Sequence, residues 1–343
     1  MSLSININSL KPLSASVPRV ETQLNWNDYF GAFKVRWGIG RNSYIVKPGL
    51  YKVGKPNGES DVMVSANYKL SFDILRKNLD GLNSWILVLD TRGVNVWCAA
   101  GKGTFGTKEL VKRIKLHEVD KLVNHKKVIV PQLGAVGIAA HEVKENTGFR
   151  VVYGPVRAND IKPFVDAGYK ATPEMRRVTF PLKERVKLIP VELVYGKYFL
   201  LLVPAIFLIL SGFSLRSYSF DNALISGGRA ITNLFGAYIA GCVLNPIFLP
   251  CIPFRRFSLK GLLLGWLIAS VLLYFRLLGA SVIEIISWFL IIGSISSFLA
   301  MNFTGASTFT SLSGVKKEMR LALPLQFAAV SIGFIGWLIT RFI

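Results

Sequence analysis

Cysteine and histidine are scarce in this 343-residue chain, with three of each. Three cysteines give no disulfide framework and fall short of the four thiolates an iron–sulfur cluster takes. Acidic side chains are few as well, 20 against 41 Lys and Arg, for a net charge of +21. That excess raises nucleic acid as a partner, but the cations lie where a bilayer accounts for them better. Arg176, Arg177, Lys183, Arg185, Lys187 and Lys197 lead directly into an apolar half. No nucleic-acid partner is expected. The first 50 residues show no apolar core behind a basic start, so no secretory signal is expected and the first domain is placed in the cytoplasm.

What the chain has in quantity is apolar sequence, 51% of residues, for a mean hydropathy of +0.42. It is unevenly spread. Of the Lys and Arg, 31 lie at or before Lys197, with 17 of the Asp and Glu; the remainder holds only 10 and 3. The division predicts an N-terminal arm over residues 1–60, an α/β domain over 61–180, a basic juxtamembrane linker over 181–197 and a five-span transmembrane domain over 198–343. The five apolar stretches fall near 198–215, 231–254, 261–279, 281–301 and 322–340, each about the length a span needs. Arg255, Arg256 and Lys260 follow the second stretch, and Lys316, Lys317 and Arg320 the fourth, whereas the alternate loops carry Arg216 with Arg229, and Arg276. This asymmetry predicts a multi-pass protein of the cytoplasmic membrane, surrounded by lipid, with its α/β domain in the cytoplasm and its C-terminus on the opposite side.

Residues 1 to about 55 mix Ser, Asn and Pro with aromatics and show no sustained period, as an arm packed on the domain would. From Asp61 short β-rich runs alternate with helical ones. Strands are predicted at 62–65, 85–90, 127–131 and 149–153, and helices at 72–79, 107–115 (capped by Thr107) and 141–147. Continuous apolar strands separated by helices predict a parallel sheet covered on both faces, a Rossmann-like α/β fold followed by an all-α membrane domain. Each strand ends in a small or polar loop, Ser65-Ala66-Asn67, Asp90-Thr91-Arg92-Gly93, Gln132-Leu133-Gly134-Ala135 and Gly154-Pro155-Val156-Arg157. Such loops share the rim at which open α/β sheets bind ligands.

On that rim stands Cys98, the one cysteine of the soluble half, within Asn95-Val96-Trp97-Cys98-Ala99-Ala100-Gly101-Lys102-Gly103-Thr104. Its small neighbours predict room for something large and flat beside the sulfur. A phosphate loop is excluded, because the places for its first Gly and its Ser or Thr hold Val96 and Gly103. His117, His125 and His141 are possible partners for a thiol nucleophile, yet none stands in the setting of a cysteine hydrolase. One Cys without paired ligands cannot close a tetrahedral zinc site. The remaining reading is a single axial bond to a metal whose other ligands come from a macrocycle. The residues by themselves go no further.

The run Asn95–Lys102 resembles the cap-helix signature of the mercury-methylation corrinoid proteins, membrane-bound members of the corrinoid iron-sulfur protein family. Pro131-Gln132-Leu133-Gly134, His141-Glu142-Val143, Tyr153-Gly154-Pro155-Val156-Arg157 and Ala171-Thr172-Pro173-Glu174-Met175-Arg176-Arg177 are similar to that family too, as is a five-span C-terminal domain. The resemblance implies a corrinoid-dependent methyltransferase holding a cobalamin-type corrinoid, with Cys98 as lower axial ligand to cobalt. Asn95, Val96, Trp97, Ala99, Ala100, Gly101, Lys102 and Thr104 would shape the surface against the corrin ring. Ser65, Asn67, Ser71, Gln132, Gly134, Ala135, Gly137, Gly154 and Arg157 would meet its side chains and nucleotide tail. It further implies a methylated folate-pathway donor, Hg(II) as methyl acceptor, and a small ferredoxin with two [4Fe-4S] clusters as electron source. A corrinoid methyl carrier with another acceptor, and a membrane corrinoid or redox sensor or transporter, are the alternatives. Cys242 and Cys251, placed in the second span around Asn245, Pro246 and Pro250, are read as packing residues of a kinked helix or as a soft-ligand relay for Hg(II).

Overall fold

The computed structural model describes residues 17–215, 217–303 and 312–343. The chain forms two compact units, Met1–Val35 with Ile39–Val178, and Arg36–Gly38 with Thr179–Ile343.

In the first unit, strands β1 (Gly49–Val53), β2 (Val62–Ala66), β3 (Ser84–Leu89), β4 (Lys127–Val130) and β5 (Arg150–Tyr153) form one sheet in the order β1-β3-β2-β4-β5. The four strands from β2 to β5 run parallel, as their unbroken Val, Ile and Leu runs predict. The sheet is nevertheless mixed, because β1 lies antiparallel on the edge of β3, with Gly49 opposite Val88 and Val53 opposite Ser84. The sequence predicts no strand there. As an edge strand β1 has half-buried Tyr51 and Lys52, so its apolar signal is short and broken.

Side chains alternate across the sheet into two cores. Val62, Val64, Leu87, Val128 and Val130 pack with Leu110, Ile114 and Val143, the buried stripes of α4 (Thr107–Leu116) and α6 (Ala140–Thr147). Met63, Ile86, Val88 and Ile129 point the other way, onto Phe72 of α2 (Lys69–Asn78) and Ile161 and Phe164 of α7 (Ile161–Asp166). Each such side chain contributes roughly 1.5–3 kcal/mol by leaving water. Short helices α3 (Val96–Gly101), α5 (Val119–Leu122) and α8 (Pro173–Arg176) complete the unit.

Before the sheet, α1 (Trp26–Arg36) also goes unpredicted, and an ion network fixes its rotation. Asp28 Oδ1 accepts from Lys69 Nζ at 2.5 Å and its Oδ2 from Arg76 Nη2 at 2.6 Å, while Asp73 accepts from the same two cations at 2.6 and 2.8 Å. Burial alone would raise the Asp28 carboxyl, but hydrogen bonds from Lys69, the Asn25 backbone and Arg76 outweigh it and hold it at about 2.

The second unit is helical: α9 (Leu182–Val186), α10 (Ile189–Tyr195), α11 (Lys197–Ser211), α12 (Phe220–Ile239), α13 (Asn245–Phe248), α14 (Phe257–Tyr274), α15 (Val282–Asn302) and α16 (Leu312–Ile339). Among the described residues four stretches are long and apolar enough to cross a membrane: Phe220–Phe248, Phe257–Tyr274, Val282–Asn302 and Gly314–Ile339. A fifth exists only if Leu182–Tyr195 and Lys197–Ser211, bent by 54°, act as one span. α11 has 15 residues, about 22 Å, short of a hydrocarbon core of about 30 Å.

The second span begins 11 residues before its predicted start, at Phe220, so Arg229 lies within α12 and not in a loop. Arg216 lies outside the described residues. At the predicted kink the helix runs on to Phe248. Ala240–Leu244 widens into a π turn just before Asn245 and Pro246, whose ring removes one backbone donor. Cys242 is buried in that turn; Cys251 is exposed, beyond the end of α13. Lys260 is not a loop cation either. It lies in α14, its Nζ donating to the carbonyls of Leu249 and Ile252 at 2.5 and 2.7 Å. Arg185 of the basic flank is buried too, at 6% exposure. Glu284 is buried and accepts from Arg341 Nη2 at 2.6 Å.

Candidate functional site

Three segments build the carboxyl rim: the loop after β3, the single turn of α3, and the 3-10 turn Gln132–Gly137 after β4. The first is fixed from the neighbouring strand. Asn67, just past β2 and 2% exposed, accepts at one oxygen from Thr91 N (3.1 Å), Thr91 Oγ1 (2.8 Å) and Gly93 N (3.0 Å). Thr91 Oγ1 is also 2.6 Å from the carbonyl of Val94. Asn95 then caps α3, its Oδ1 accepting from the backbone N of Cys98 at 3.0 Å. Hydrogen bonds therefore run from β2 to the peptide of Cys98.

Behind α3 the backbones close on one another. Phe105, fully buried, pins the loop after α3 against the 3-10 turn. A Cβ at Gly134 would stand 2.4 Å from the Phe105 ring, and one at Gly137 would stand 2.1 Å from the Phe105 carbonyl and 3.2 Å from Ala100 Cα. Gly106 is held in the same way by the Gly103 carbonyl at 2.9 Å. Thr107 does not cap α4. Gly106 is the cap residue, and Thr107 Oγ1 accepts from Ala139 N at 2.8 Å, joining α4 to the end of the 3-10 turn. Tyr153 Oη donates to Ile138 O at 2.7 Å. Burial raises that phenol, which stays protonated at neutral pH.

On the outer side there is room. Cys98 is half-buried and free, Trp97 is 38% exposed and Lys102 is exposed. A Cβ at Gly101 or Gly103 would meet nothing within 4 Å. Ala99 and Ala100, counted among the small neighbours of the sulfur, are instead turned into the core at 0% and 5% exposure. Val96 and Val94 pack against the same core.

The other predicted site residues divide. Gln132, Gly134, Ala135 and Gly137 lie in the 3-10 turn against α3, and Gln132 N is 3.4 Å from Pro155 O, which draws in Gly154 and its loop. Gln132 Oε1 also accepts from Arg176 Nη1 at 3.3 Å. Thr104 Oγ1 donates to Ala99 O at 3.4 Å. Arg157 is half-buried at the start of the turn Ala158–Asp160, and Ser71 stands in the first turn of α2. Ser65 and Asn67 are buried within the domain, Ser65 bonded to the Ala66 carbonyl, so they act behind the rim surface. The sequence places Thr91 and Gly93 in a rim loop without a role of their own, and it leaves out Phe105 and Gly106, whose one signal is the Gly-rich spacing of 101–106 and 134–137.

No histidine serves the thiol. His125 Nε2 is 3.1 Å from Ser60 O, His141 is exposed on α6, and His117 lies beside Gly49, its imidazole pushed down first by burial and then by Arg113. Among the described residues no group of three His, Cys, Asp or Glu could hold a metal ion. Cys98, half-buried and followed by the open positions Gly101 and Gly103, can offer one bond to a metal that arrives with its other ligands. These residues fit a corrinoid.

Residues 40–165 match the CdhD family, described as the CO dehydrogenase/acetyl-CoA synthase delta subunit. That stretch contains the whole sheet and Cys98. The acetyl-CoA decarbonylase/synthase complex subunit gamma of Archaeoglobus fulgidus is 27% identical over 131 residues, 38% of this chain and 27% of that protein. The corrinoid/iron-sulfur protein large subunit of Moorella thermoacetica is 28% identical over 124 residues, 36% of this chain and 27% of that protein. Subunit gamma 2 of the Methanosarcina thermophila complex is 30% identical over 123 residues, covering 34% and 25%. The chain spans about a quarter of the length of the curated relatives it matches.

Proposed function

We propose that this chain is a membrane-anchored, corrinoid-dependent methyltransferase with Hg(II) as its methyl acceptor and methylmercury as its product. Its Rossmann-like unit would seat a cobalamin-type corrinoid at the sheet rim, with Cys98 as the residue that holds its cobalt. The observation that carries this reading is Cys98 on a capped, close-packed turn, with clear space at Gly101 and Gly103 and, among the described residues, no group of three His, Cys, Asp or Glu to hold a metal. The name of the Moorella relative supports the cofactor class. The resemblance of Asn95–Lys102 to the mercury-methylation branch supports the acceptor.

When bound, the corrinoid supplies a cobalt that accepts a methyl group and releases it to an electrophile. The chain's part is positional. Asn95 holds the Cys98 peptide and Asn67 the loop before it, so the sulfur would approach from one direction without reorganising. Cys98 would hold the cobalt through its sulfur, a soft donor suited to a late transition metal, and Hg(II) would be the soft, electron-poor acceptor of the methyl group. Trp97, Gly101, Lys102 and Gly103 would face the ring, while Ala99, Ala100 and Phe105 keep the turn seated. The methyl donor would be a methylated folate-pathway system. Electrons would come from a ferredoxin with two [4Fe-4S] clusters, since three cysteines cannot hold a cluster here. The α/β unit would lie in the cytoplasm.

A second reading, a corrinoid methyl carrier with another acceptor, draws on the three relatives, two of them named as acetyl-CoA decarbonylase/synthase subunits. One experiment separates the possibilities. In the purified chain loaded with cobalamin, Cys98→Ala should change the absorbance that reports sulfur on cobalt and abolish methylmercury formation. An unchanged spectrum would overturn the ligand role; a changed spectrum with wild-type chain that never methylates Hg(II) would leave the second reading.

A further inference from the structure

The two sides of α1 face opposite surroundings. At about 100° per residue, Asp28, Gly31 and Val35 fall on one side, and all three are buried. Trp26, Tyr29, Phe30 and Phe33 fall within an arc of about 100° on the other. They are 78%, 52%, 47% and 54% exposed. Rotation cannot hide them, because the bonds of Asp28 to Lys69 and Arg76 lock the opposite side inward. Each of these partly exposed aromatics forgoes part of the roughly 1.5–3 kcal/mol that full burial gives, and a contiguous apolar stripe of this kind marks a contact surface.

The surroundings select the occupant. Lys34 and Arg36 flank the stripe on its two sides, with Lys34 Nζ 5.1 Å from the Phe30 ring centroid. Arg36–Gly38, continuous with the end of α1, belong to the unit that carries the membrane-length helices. The helix has 11 residues, about 16 Å, and is joined directly to those residues by the chain. Trp, Tyr and Phe between Lys and Arg are the side chains that settle at the boundary of headgroups and acyl chains.

We propose that α1 is a bilayer-surface helix whose Trp26–Phe33 stripe lies in the headgroup layer of the phospholipid membrane holding the helical unit. The proposal is independent of the corrinoid reading. Its test uses the full chain in nanodiscs of phosphatidylglycerol and phosphatidylethanolamine, with the photo-crosslinker p-benzoylphenylalanine placed at position 30. Irradiation should give phospholipid adducts at several-fold the yield of the same probe at position 112, an exposed site on α4. Adding Trp26→Glu and Phe33→Glu should lower that yield several-fold with circular dichroism unchanged. A yield equal to that at position 112, or adducts with polypeptide in place of lipid, would overturn the proposal.

Discussion

The two units treat buried polar groups differently. In the α/β unit, Asn67 satisfies three donors with one oxygen, and Asp28 and Asp73 share two cations; among the described residues His117 Nε2 is an exception. In the helical unit Asn245 is fully buried with neither amide atom partnered, and Asn233 Oδ1 and Gln326 Oε1 are without partners too. That unit is held by close backbone approach, as at Gly261, where a Cβ would stand 2.5 Å from Ser296 O. Polar groups in the first unit set geometry. In the second, small residues do.

The largest effect that would sharpen this contrast is expected at Asp28. Asp28→Asn leaves Lys69 and Arg76 without half of their compensation and should cost about 3–5 kcal/mol, read as a lowered midpoint in urea by a probe of the α/β unit. The carboxyl is held down in the folded state, so its contribution is complete above the unfolded carboxylate value and is lost as pH falls toward about 2. The variant should lack that acid limb. A variant as stable as wild type at pH 7 would show the network to be ornamental.

A smaller effect separates two glycines of the same rim. Gly137→Ala drives a methyl onto the Phe105 carbonyl and should cost about 1–3 kcal/mol while loosening α3. Gly101→Ala meets nothing and should stabilise the cofactor-free chain by up to about 1 kcal/mol. If a ring lies where proposed, only the cobalamin-loaded form of Gly101→Ala should weaken, by titration. Smallest is Asn245→Leu, which removes an unpartnered amide and should leave melting in detergent unchanged or slightly raised. A clear drop would mean that the amide is satisfied in the membrane and that the contrast between the units is narrower.

The parallel strands were legible because both of their faces are buried, which writes Val62–Ala66 and Ser84–Leu89 as continuous apolar runs. β1 was not, since an edge strand needs little apolar sequence. α1 hid for a related reason: its aromatics face outward and its inward Asp28 is charged, the reverse of the usual pattern. In the membrane half, hydropathy found the apolar stretches but misjudged ends wherever a cation lay inside a helix, as at Arg229 and Lys260. At the rim, Cys98 and its small neighbours could be read, yet which neighbours turn inward could not. Ala99 faces the core and Gly101 the open side only because α3 is a turn of fixed phase, and that phase is set by Asn67, more than two dozen residues upstream.

Six residues are too few to sustain a helix alone in water, so α3 is a guest of its surroundings. Its cap, Asn95, is delivered by a loop that only the joining of β2 to β3 can shape. The thiol is consequently not a local property of its own peptide: any event that parts those two strands, far from the sulfur, disarms it.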